Sequence, residues 1–445
     1  MIRSDKLGTT SIIRDLALNQ NLYETMNHFF RASSWILDTV KIKWFETVKN
    51  SSLLYKEDGY TILIGDGVKQ AKEGRRMPGV KKLFQESENS SKPEYIFGHM
   101  FGGIGVLAGN ISKWFCIPLS INLQDGIQTI LSWQNNGEKL KSHVVQMIDA
   151  GYKAVETFGK SILLLDRYFL SVPALEQLDQ CNSSGEEVMH IVTKAKKSCI
   201  AFEKAPEKKP GRGRPAKKGE SVKLKDLFSG RSTEFLETKV LLYGEEESVR
   251  YYCINLLWGQ KLYKELRFVL VEYKGIQSIL VSTALQCDPV IIIRLYSYRF
   301  KIECTFRELK QITGAFSYQF WSKSMPKLKR YLKKGEKPLV DMITNPREQE
   351  KIKLTIKATE GYIMFCCIAM GLLQMISLGF SGDFITKSFR FLRTPSKTVV
   401  SEATVMCYLR QNIFRVMMNA PDLLITRSIR HKQVKTNAYV DLQAF

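Results

Sequence analysis

Four residues that could act on a phosphate recur at helical spacing, at offsets of 0, 3, 7 and 14 positions: Tyr296, Arg299, Glu303 and Lys310. With about 100° of turn per residue, they fall within roughly 60° of one another on one helix face. That face would present a carboxylate beside an aromatic hydroxyl and two cations. The alternative is ordinary ion pairing on a solvated helix, where pairs at i,i+4 are common.

Two further carboxylates each close a short apolar run. Residues 60–65 lead into Asp66, and residues 161–165 lead into Asp166. A carboxylate at the exit of an interior strand is costly to bury unless a partner or a metal compensates its charge. Together with Glu303, these acids could hold two Mg²⁺ ions roughly 4 Å apart, which would activate water or a 3′-hydroxyl for phosphoryl transfer. The alternative for either aspartate alone is a turn residue after a strand.

The segments around these acids alternate between strand and helix patterns. Strand-like apolar runs cover residues 60–66, 95–107, 114–121 and 161–166, a helical stretch covers about 138–158, and β-forming residues are dense from about 235 to 281. Asp288 and Pro289 suit the N-cap and first position of a helix that is predicted to run to about Gly314. The pattern predicts an α/β fold of mixed α+β type, with a mixed sheet flanked by helices.

Both ends of the chain are predicted to be helical, and one internal segment is unusually apolar. Residues 1–57 carry apolar and aromatic residues at helical spacing. Residues 361–380 form a segment of twenty residues without a charge. A segment of this length could span a bilayer. Three Gly, one Gln, one Ser and two Cys make the segment only moderately apolar, and a buried helix has the same composition. We therefore expect a core helix and no membrane.

The composition favours a polyanionic partner in a reducing compartment. The 445 residues carry 66 Lys and Arg against 44 Asp and Glu, a formal net charge of +22. Contacts to phosphates release condensed counterions, so this charge favours nucleic acid, although a basic enzyme, a ribosome-associated protein or a membrane-surface protein would share it. Nine cysteines without a Cys-x-x-Cys pair, and an N-terminus without an apolar stretch, favour the cytoplasm.

Taken together, these residues resemble those of the DDE transposases of bacterial insertion sequences, in the group with a Tyr-x2-Arg-x3-Glu-x6-Lys signature. Residues 296, 299, 303 and 310 match every interval of that signature. In that family the catalytic domain is RNase H-like, the first Asp ends the first strand and the second Asp ends the fourth. A β-rich insertion often lies between the second Asp and the Glu. Here 303 − 166 = 137 positions separate these two acids and contain the β-rich region.

The resemblance, which covers about residues 55–380, implies a domain organisation. A helical region that binds the DNA ends would occupy residues 1–57. The RNase H-like core would comprise residues 58–200 and 266–385, separated by a basic arm and a β-rich insertion domain at 201–265. A helical C-terminal region would cover 386–445.

The resemblance also implies a reaction. Asp66, Asp166 and Glu303 would be the catalytic residues and metal ligands, holding two Mg²⁺ ions, with Mn²⁺ as a substitute. Hydrolysis would free a 3′-hydroxyl at the end of the element, and that hydroxyl would attack target DNA by transesterification. The partners would be double-stranded DNA, both inverted-repeat ends and target, and a second copy of the chain in a homodimer. The location would be the bacterial cytoplasm, on the nucleoid.

Several residues would contact the DNA. By the resemblance, Tyr296, Arg299 and Lys310 would contact the phosphate backbone of the transposon end. Trp258, in the β-rich region, is a candidate for stacking on a displaced base, with packing on the sheet as the alternative.

Two basic segments could add to these contacts. Residues 210–215, Pro-Gly-Arg-Gly-Arg-Pro, resemble an AT-hook, in which Arg212 and Arg214 would enter a narrow A·T-rich minor groove. The alternative is a flexible basic linker that contacts phosphates anywhere. The loop at 67–79 could line a DNA channel through Lys69, Lys72, Arg75 and Arg76, or be a solvated loop. His99 is predicted to be structural.

Three other functions compete with a transposase. A metal-dependent endonuclease on the same fold would cut DNA without joining it. A DNA-binding protein with an inactive core would keep the basic surface without the chemistry. A membrane protein would use residues 361–380 as its anchor.

Overall fold

The apolar runs of the sequence form one large sheet. In the computed structural model, which describes residues 8–85, 93–110, 112–133, 141–183, 187–206, 216–329, 339–379 and 399–434, the strands form a 13-stranded mixed sheet. The strands are β1 Lys56–Glu57, β2 Tyr60–Ala71, β3 Lys81–Phe84, β4 Tyr95–Asn110, β5 Lys113–Leu123, β6 Ser161–Leu164, β7 Met189–Ala195, β8 Ile200–Phe202, β9 Ser221–Lys223, β10 Leu236–Leu242, β11 Glu245–Trp258, β12 Lys264–Tyr273 and β13 Ile276–Ser282.

Helices cover the sheet and both ends of the described chain. They are α1 Thr9–Asp15, α2 Leu22–Arg31, α3 Leu37–Lys49, α4 Gln128–Ser132, α5 His143–Phe158, α6 Val172–Asn182, α7 Leu227–Gly230, α8 Pro289–Ser297, α9 Lys301–Glu308, α10 Pro346–Gly379, α11 Glu402–Asn419 and α12 Leu424–Lys432. A π-helical turn, Leu309–Thr313, follows α9, and short 3-10 turns cover Arg167–Phe169, Leu224–Asp226, Ser232–Glu234 and Leu339–Met342. The predicted mixed α/β class is confirmed, as are the strand runs around the two aspartates.

The centre of the sheet joins antiparallel and parallel strands at β2. On one side β2 pairs antiparallel with β4, which in turn pairs antiparallel with β5. On the other side β2 pairs parallel with β6, and β6 pairs parallel with β7. The helix α5 lies in the chain between β5 and β6. These two strands run in the same direction, so the chain must cross over the sheet between them. Residues along these strands are mostly buried on both faces, which explains their continuous apolar runs.

The β-rich region extends the central sheet. β13 pairs antiparallel with β7, from Ile279↔Ala195 to Ser282↔Val192, and β12 and β11 follow in order. The domain boundary predicted between residues 265 and 266 therefore falls inside β12, which pairs with β11 from Lys264 to Glu272. Pairing between strands joins segments distant in the chain, so local composition does not report it.

The uncharged segment at 361–379 is the C-terminal part of α10. Among the described residues this helix is the one long and apolar enough to cross a membrane, and 61% of its most apolar window is buried within the protein. The indole rings of Trp35 and Trp44 lie against Gly361 and Gly371, where a Cβ would approach ring carbons to 2.6 and 2.3 Å. The expected core helix, typical of a soluble protein, is thus what forms. The helices α2 and α3 pack on α10, whereas α1 packs in a separate cluster with Ile429.

One glycine of β4 sets how closely α9 approaches the sheet. Gly103 lies opposite Asp66 in the β2–β4 pairing, and a Cβ at this position would lie 2.8 Å from the ring of Phe306 on α9. The hydroxyl of Thr305 donates a hydrogen bond to the backbone carbonyl of Cys116 on β5 at 2.7 Å. Because Gly103 has no side chain, the Phe306 ring of α9 can pack directly against β4 beside Asp66.

Replacing Gly103 with alanine should strain this contact, because the added methyl group overlaps the Phe306 ring. We expect a loss of about 1–3 kcal/mol in the free energy of unfolding, measured by chemical denaturation. Gly230→Ala is the matched control, since a Cβ there meets nothing within 4 Å. Equal stability of the two variants would show that the Gly103 contact does not constrain α9.

Candidate active site

Asp66 and Asp166 occupy equivalent positions on neighbouring parallel strands. The last paired residues of β2 and β6 are Ile64 and Leu164. Each aspartate lies two positions further along, so both side chains leave the same face of the sheet at the same level. This arrangement follows from register alone and brings together two acids separated by 100 positions in the chain (166 − 66).

Asp66 does not end its strand, contrary to the prediction. β2 continues to Ala71 because β4 still pairs with it beyond this point, whereas β6 stops at Leu164. The residues after Asp66 are therefore strand and not loop up to Ala71. The carboxylate Oδ1 accepts a hydrogen bond from the backbone N–H of Gly67 at 2.7 Å. On the other side of Asp66, β6 has already ended, because its pairing with β2 stops at Ile64.

Asp166 begins a short 3-10 turn. Its Oδ1 accepts a hydrogen bond from the backbone N–H of Arg167 at 2.7 Å. Its carbonyl oxygen accepts one from the hydroxyl of Thr193 on β7 at 2.9 Å. These two bonds hold the backbone of Asp166 at the end of the sheet and leave its second carboxylate oxygen available.

The helix that carries the third acid is broken, where one continuous helix was predicted. The cap forms as expected, with the side chain of Asp288 accepting from the N–H of Val290 at 2.6 Å. After Ser297, however, the N–H groups of residues 298, 299, 301, 302 and 303 bond carbonyls three positions earlier. This tighter winding turns the following helix relative to α8, and α9 starts only at Lys301.

Arg299 lies in the break and joins two of the acids. Its Nη1 donates to Oδ2 of Asp66 at 3.1 Å, and its Nη2 donates to Oε1 of Glu303. The Arg299 side chain is 14% exposed, that of Asp66 19% and that of Glu303 55%. One guanidinium therefore links a carboxylate on the sheet to a carboxylate on α9, and Glu303 faces solvent beyond it.

The site is electrostatically coupled. Burial raises the pKa of Asp66 to about 6 and outweighs the opposing charge of Arg299 and the Gly67 hydrogen bond. The charges of Asp166 and Glu303 raise this pKa further. Asp166 and Glu303 thus both lie close enough to Asp66 to act on its charge, and a nearby cation favours the ionised form of such a carboxylate.

Tyr296 borders the same acids. Burial raises the pKa of its hydroxyl; Arg299 opposes this shift, and the charges of Asp166, Asp66 and Glu303 add to it. The phenol therefore stays protonated at neutral pH and can donate a hydrogen bond. Three of the four signature residues therefore lie near Asp66: Tyr296, Arg299 and Glu303.

The remaining predicted contact residues lie elsewhere or outside the described chain. Lys310 is exposed on the π-helical turn, with its Nζ 5.7 Å from the centre of the Phe316 ring. Trp258 closes β11 and packs, partly buried, on the cluster around β12. Strand register places it level with the start of β6, at the opposite end of the strands from Asp166. Its role in base stacking stays a prediction. Arg212 and Arg214 lie outside the described residues.

Two basic residues of the segment after Asp66 donate hydrogen bonds to backbone carbonyls of this same chain. Lys72 donates to the backbone carbonyls of Phe316 and Tyr318 at 2.7 and 2.8 Å, and burial lowers its pKa to about 8. Arg76 donates to the carbonyls of Lys323 and Met325 at 2.8 and 3.0 Å. Both cations hold residues 316–325 in place; Lys72 is half-buried, whereas Arg76 stays exposed in the loop.

His99 is a packing residue, as expected. Its Nδ1 lies 2.5 Å from the Tyr318 hydroxyl and its Nε2 lies 2.9 Å from the carbonyl oxygen of Pro78. Burial lowers the pKa of His99 to about 4, so the ring is neutral.

Two cations of this region were not predicted, one beside Asp166 and one on the helix that precedes Arg299. Lys194 on β7 lies at the level of Asp166 on the neighbouring strand; burial and Arg167 lower its pKa, while the charge of Asp166 raises it. Arg294 on α8 donates to Glu57 on β1 at 2.6 Å and so ties the helix to the sheet. For Lys194, the available signal was a cation at the end of the strand that follows the second Asp. For Arg294, the sequence carried none.

The chemistry of the three acids suits hard divalent cations. Carboxylate oxygens are the ligands that Mg²⁺ and Mn²⁺ prefer. The raised pKa of Asp66 shows that its ionised form lacks sufficient compensation from Arg299 alone. As the side chains stand, no group of three or more His, Cys, Asp or Glu in the described ranges forms a ready metal cluster.

Comparison of this chain with family models, with curated proteins and with solved structures found no match.

The pKa of Asp66 predicts a pH dependence of stability. The folded protein binds a proton at Asp66 up to about pH 6, while the free side chain releases it near its ordinary value of 3.8. The contribution of this group to stability therefore falls as the pH rises through that window. Asp66→Asn should gain stability relative to the wild type between about pH 4 and 6, measured by denaturation in a chelating buffer.

Asp125→Asn provides a control of opposite sign. Burial raises the pKa of Asp125, but the ion pair and hydrogen bond from Lys81 outweigh it, so the net pKa is lowered. This variant should lose stability relative to the wild type as the pH rises through the acidic range. A stability difference for Asp66→Asn that does not change with pH would contradict the raised pKa of Asp66.

Proposed function

We propose that this protein is a DNA transposase that cuts DNA at the ends of an insertion sequence and joins the freed 3′-hydroxyl to target DNA. The observation that carries the proposal is the convergence of Asp66, Asp166 and Glu303. Two of these acids leave equivalent positions of adjacent parallel strands, and the third is held to the first by Arg299.

The topology supports an RNase H-like core as the resemblance describes it. Setting aside the short β1 and β3, the strands from β2 to β7 are five in number, and the sheet orders them β5, β4, β2, β6, β7. Asp66 lies on the first of the five and Asp166 follows the fourth. The β-rich region lies between Asp166 and Glu303 in the chain, as the same resemblance implies.

The proposed metal ligands are Asp66, Asp166 and Glu303. Two Mg²⁺ ions, or Mn²⁺ in their place, would supply Lewis-acid stabilisation of the attacking and leaving oxygens. The side chains themselves set the geometry: the sheet holds the two aspartates rigidly, and α9 brings the third carboxylate from the other side. The phosphate oxygens of DNA would meet the Tyr296 hydroxyl as a donor and Arg299 as a bidentate cation.

The proposed reaction has two phosphoryl transfers. In the first, the oxygen of water bonds to the phosphorus at the end of the element, and the bond from that phosphorus to the 3′-oxygen breaks. In the second, the freed 3′-hydroxyl bonds to a phosphorus of target DNA and releases a target 3′-hydroxyl. Neither step needs ATP, since one phosphoester bond replaces another in the joining step.

The net charge of +22 and the cations beside the acids agree with a DNA partner. Lys194 and Arg167 lie next to Asp166, where they would approach the phosphates on the side away from α9. A homodimer that pairs two DNA ends, in the bacterial cytoplasm, remains part of the proposal.

Glu303→Gln tests the site. The substitution removes a charged ligand while keeping the shape of the side chain, so cleavage should fall at least about 1,000-fold, equivalent to about 4 kcal/mol of barrier. The substrate is a plasmid that carries the gene with its native flanking DNA, and DNA retention is followed by gel shift. Binding should change little, because the cations that contact phosphate are retained.

Glu308→Gln, on the same helix, is the matched control and should cleave like the wild type. Its carboxylate pairs with the neighbouring Arg307 at 3.0 Å. Undiminished cleavage by Glu303→Gln would rule out the assignment of Glu303.

A joining assay separates the transposase from its alternatives. The full chain is incubated with Mg²⁺, a target plasmid and flanking DNA already cut to expose a 3′-hydroxyl. Joined product supports the transposase, whereas cleavage of intact ends without joining indicates an endonuclease. DNA binding with neither reaction indicates an inactive DNA-binding protein.

A further inference from the structure

Arg299 lies between two of the proposed metal ligands and bonds both of them. Its two terminal nitrogens point to different carboxylates, Asp66 on the sheet and Glu303 on α9. A planar guanidinium can make both bonds at once, whereas an ammonium group cannot span them in the same way. Arg299 is thus an internal counter-ion for the site in the protein without DNA.

We propose that Arg299 blocks metal binding until a DNA phosphate draws it away, so that DNA and metal bind cooperatively. This inference rests on the proposed function and extends it to the order in which the site is assembled. The competition is direct, because the guanidinium and a divalent ion require the same carboxylate oxygens. The two positive charges also repel each other at short range.

Release of Arg299 needs a partner that compensates for the two carboxylates. A DNA phosphate offers such a partner, since phosphate accepts two parallel N–H bonds from one guanidinium. Arg299 lies in the break between α8 and α9, and Glu303 beyond it is more than half exposed, so a phosphate can approach from solvent. Once Arg299 binds phosphate, Asp66 and Glu303 are available to a metal ion.

The coupling has a defined thermodynamic form. The apparent affinity for metal is reduced by the fraction of molecules in which Arg299 bridges the acids. Whatever DNA does to metal affinity, metal must do equally to DNA affinity, because the linkage is reciprocal. The expected consequence is a site that holds metal weakly when no DNA lies beside it.

The test measures Mn²⁺ binding to the full chain by isothermal titration calorimetry. It is done with and without a duplex from the DNA that flanks the gene, before any cleavage is detectable. In the wild type, the duplex should tighten Mn²⁺ binding at least about tenfold, or about 1.4 kcal/mol. Arg299→Gln should bind Mn²⁺ at least about tenfold more tightly than the wild type without DNA, and the duplex should then add little.

Two further variants remove ambiguity. Lys194→Gln deletes a cation that acts on Asp166 through its charge. It should tighten Mn²⁺ binding much less than Arg299→Gln. An equal effect would mean that Arg299 weakens metal binding only through its positive charge, and not by occupying the carboxylates. Arg299→Lys keeps the charge and so protects the fold, but it loses the planar fork. It should still bind Mn²⁺ more tightly than the wild type without DNA.

The two proposals fail in different ways. If Asp66→Asn binds Mn²⁺ as the wild type does, the metal site itself is misassigned and the proposed function loses its basis. If Asp66→Asn abolishes binding but neither Arg299 variant binds more tightly, the metal site stands and the blocking role of Arg299 is wrong.

Discussion

The burial of Asp66 beside two further carboxylates is the constraint on which the site depends. Asp66 is largely buried, and both burial and its acidic neighbours disfavour its ionised form. Arg299 relieves this repulsion by bonding Asp66 and Glu303 together. The four neighbours of Arg299 raise its own pKa despite burial, so the guanidinium keeps its charge in every accessible condition. The cation therefore belongs to the architecture of the site as much as the acids do.

The fold supplies this arrangement by combining a rigid support with an adjustable one. The parallel pairing of β2 and β6 fixes the two aspartates on one face of the sheet. The third carboxylate comes from a helix that is interrupted just before it, and the contact of Gly103 with Phe306 sets the distance of that helix from the sheet. A continuous helix would have pointed Arg299 and Glu303 along a single stripe, whereas the tightened turn lets Arg299 reach back to the strand.

Basic side chains serve two purposes in this protein. Lys72 and Arg76 hold residues 316–325 through carbonyl groups, and Lys72 is half-buried there, while Arg76 stays exposed. Lys194 and Arg167 remain beside Asp166. The overall excess of positive charge therefore overstates what the described surface offers to a polyanion. A basic residue near an acid in the sequence indicates neither its partner nor its exposure.

Local patterns in the sequence determined the strands around both aspartates, the cap at Asp288 and the buried character of residues 361–379, because alternation, capping and apolar composition act over a few residues. They also predicted the three acids as a set, through the resemblance to a known family. Only the tertiary structure decided that β2 continues past Asp66, since that depends on pairing with β4. The break after Ser297 and the extension of the sheet by β13 likewise depend on packing and pairing between distant segments. The bond between Arg299 and Asp66 joins positions 233 apart, and no local rule specifies a contact that forms only when sheet and helix are both in place.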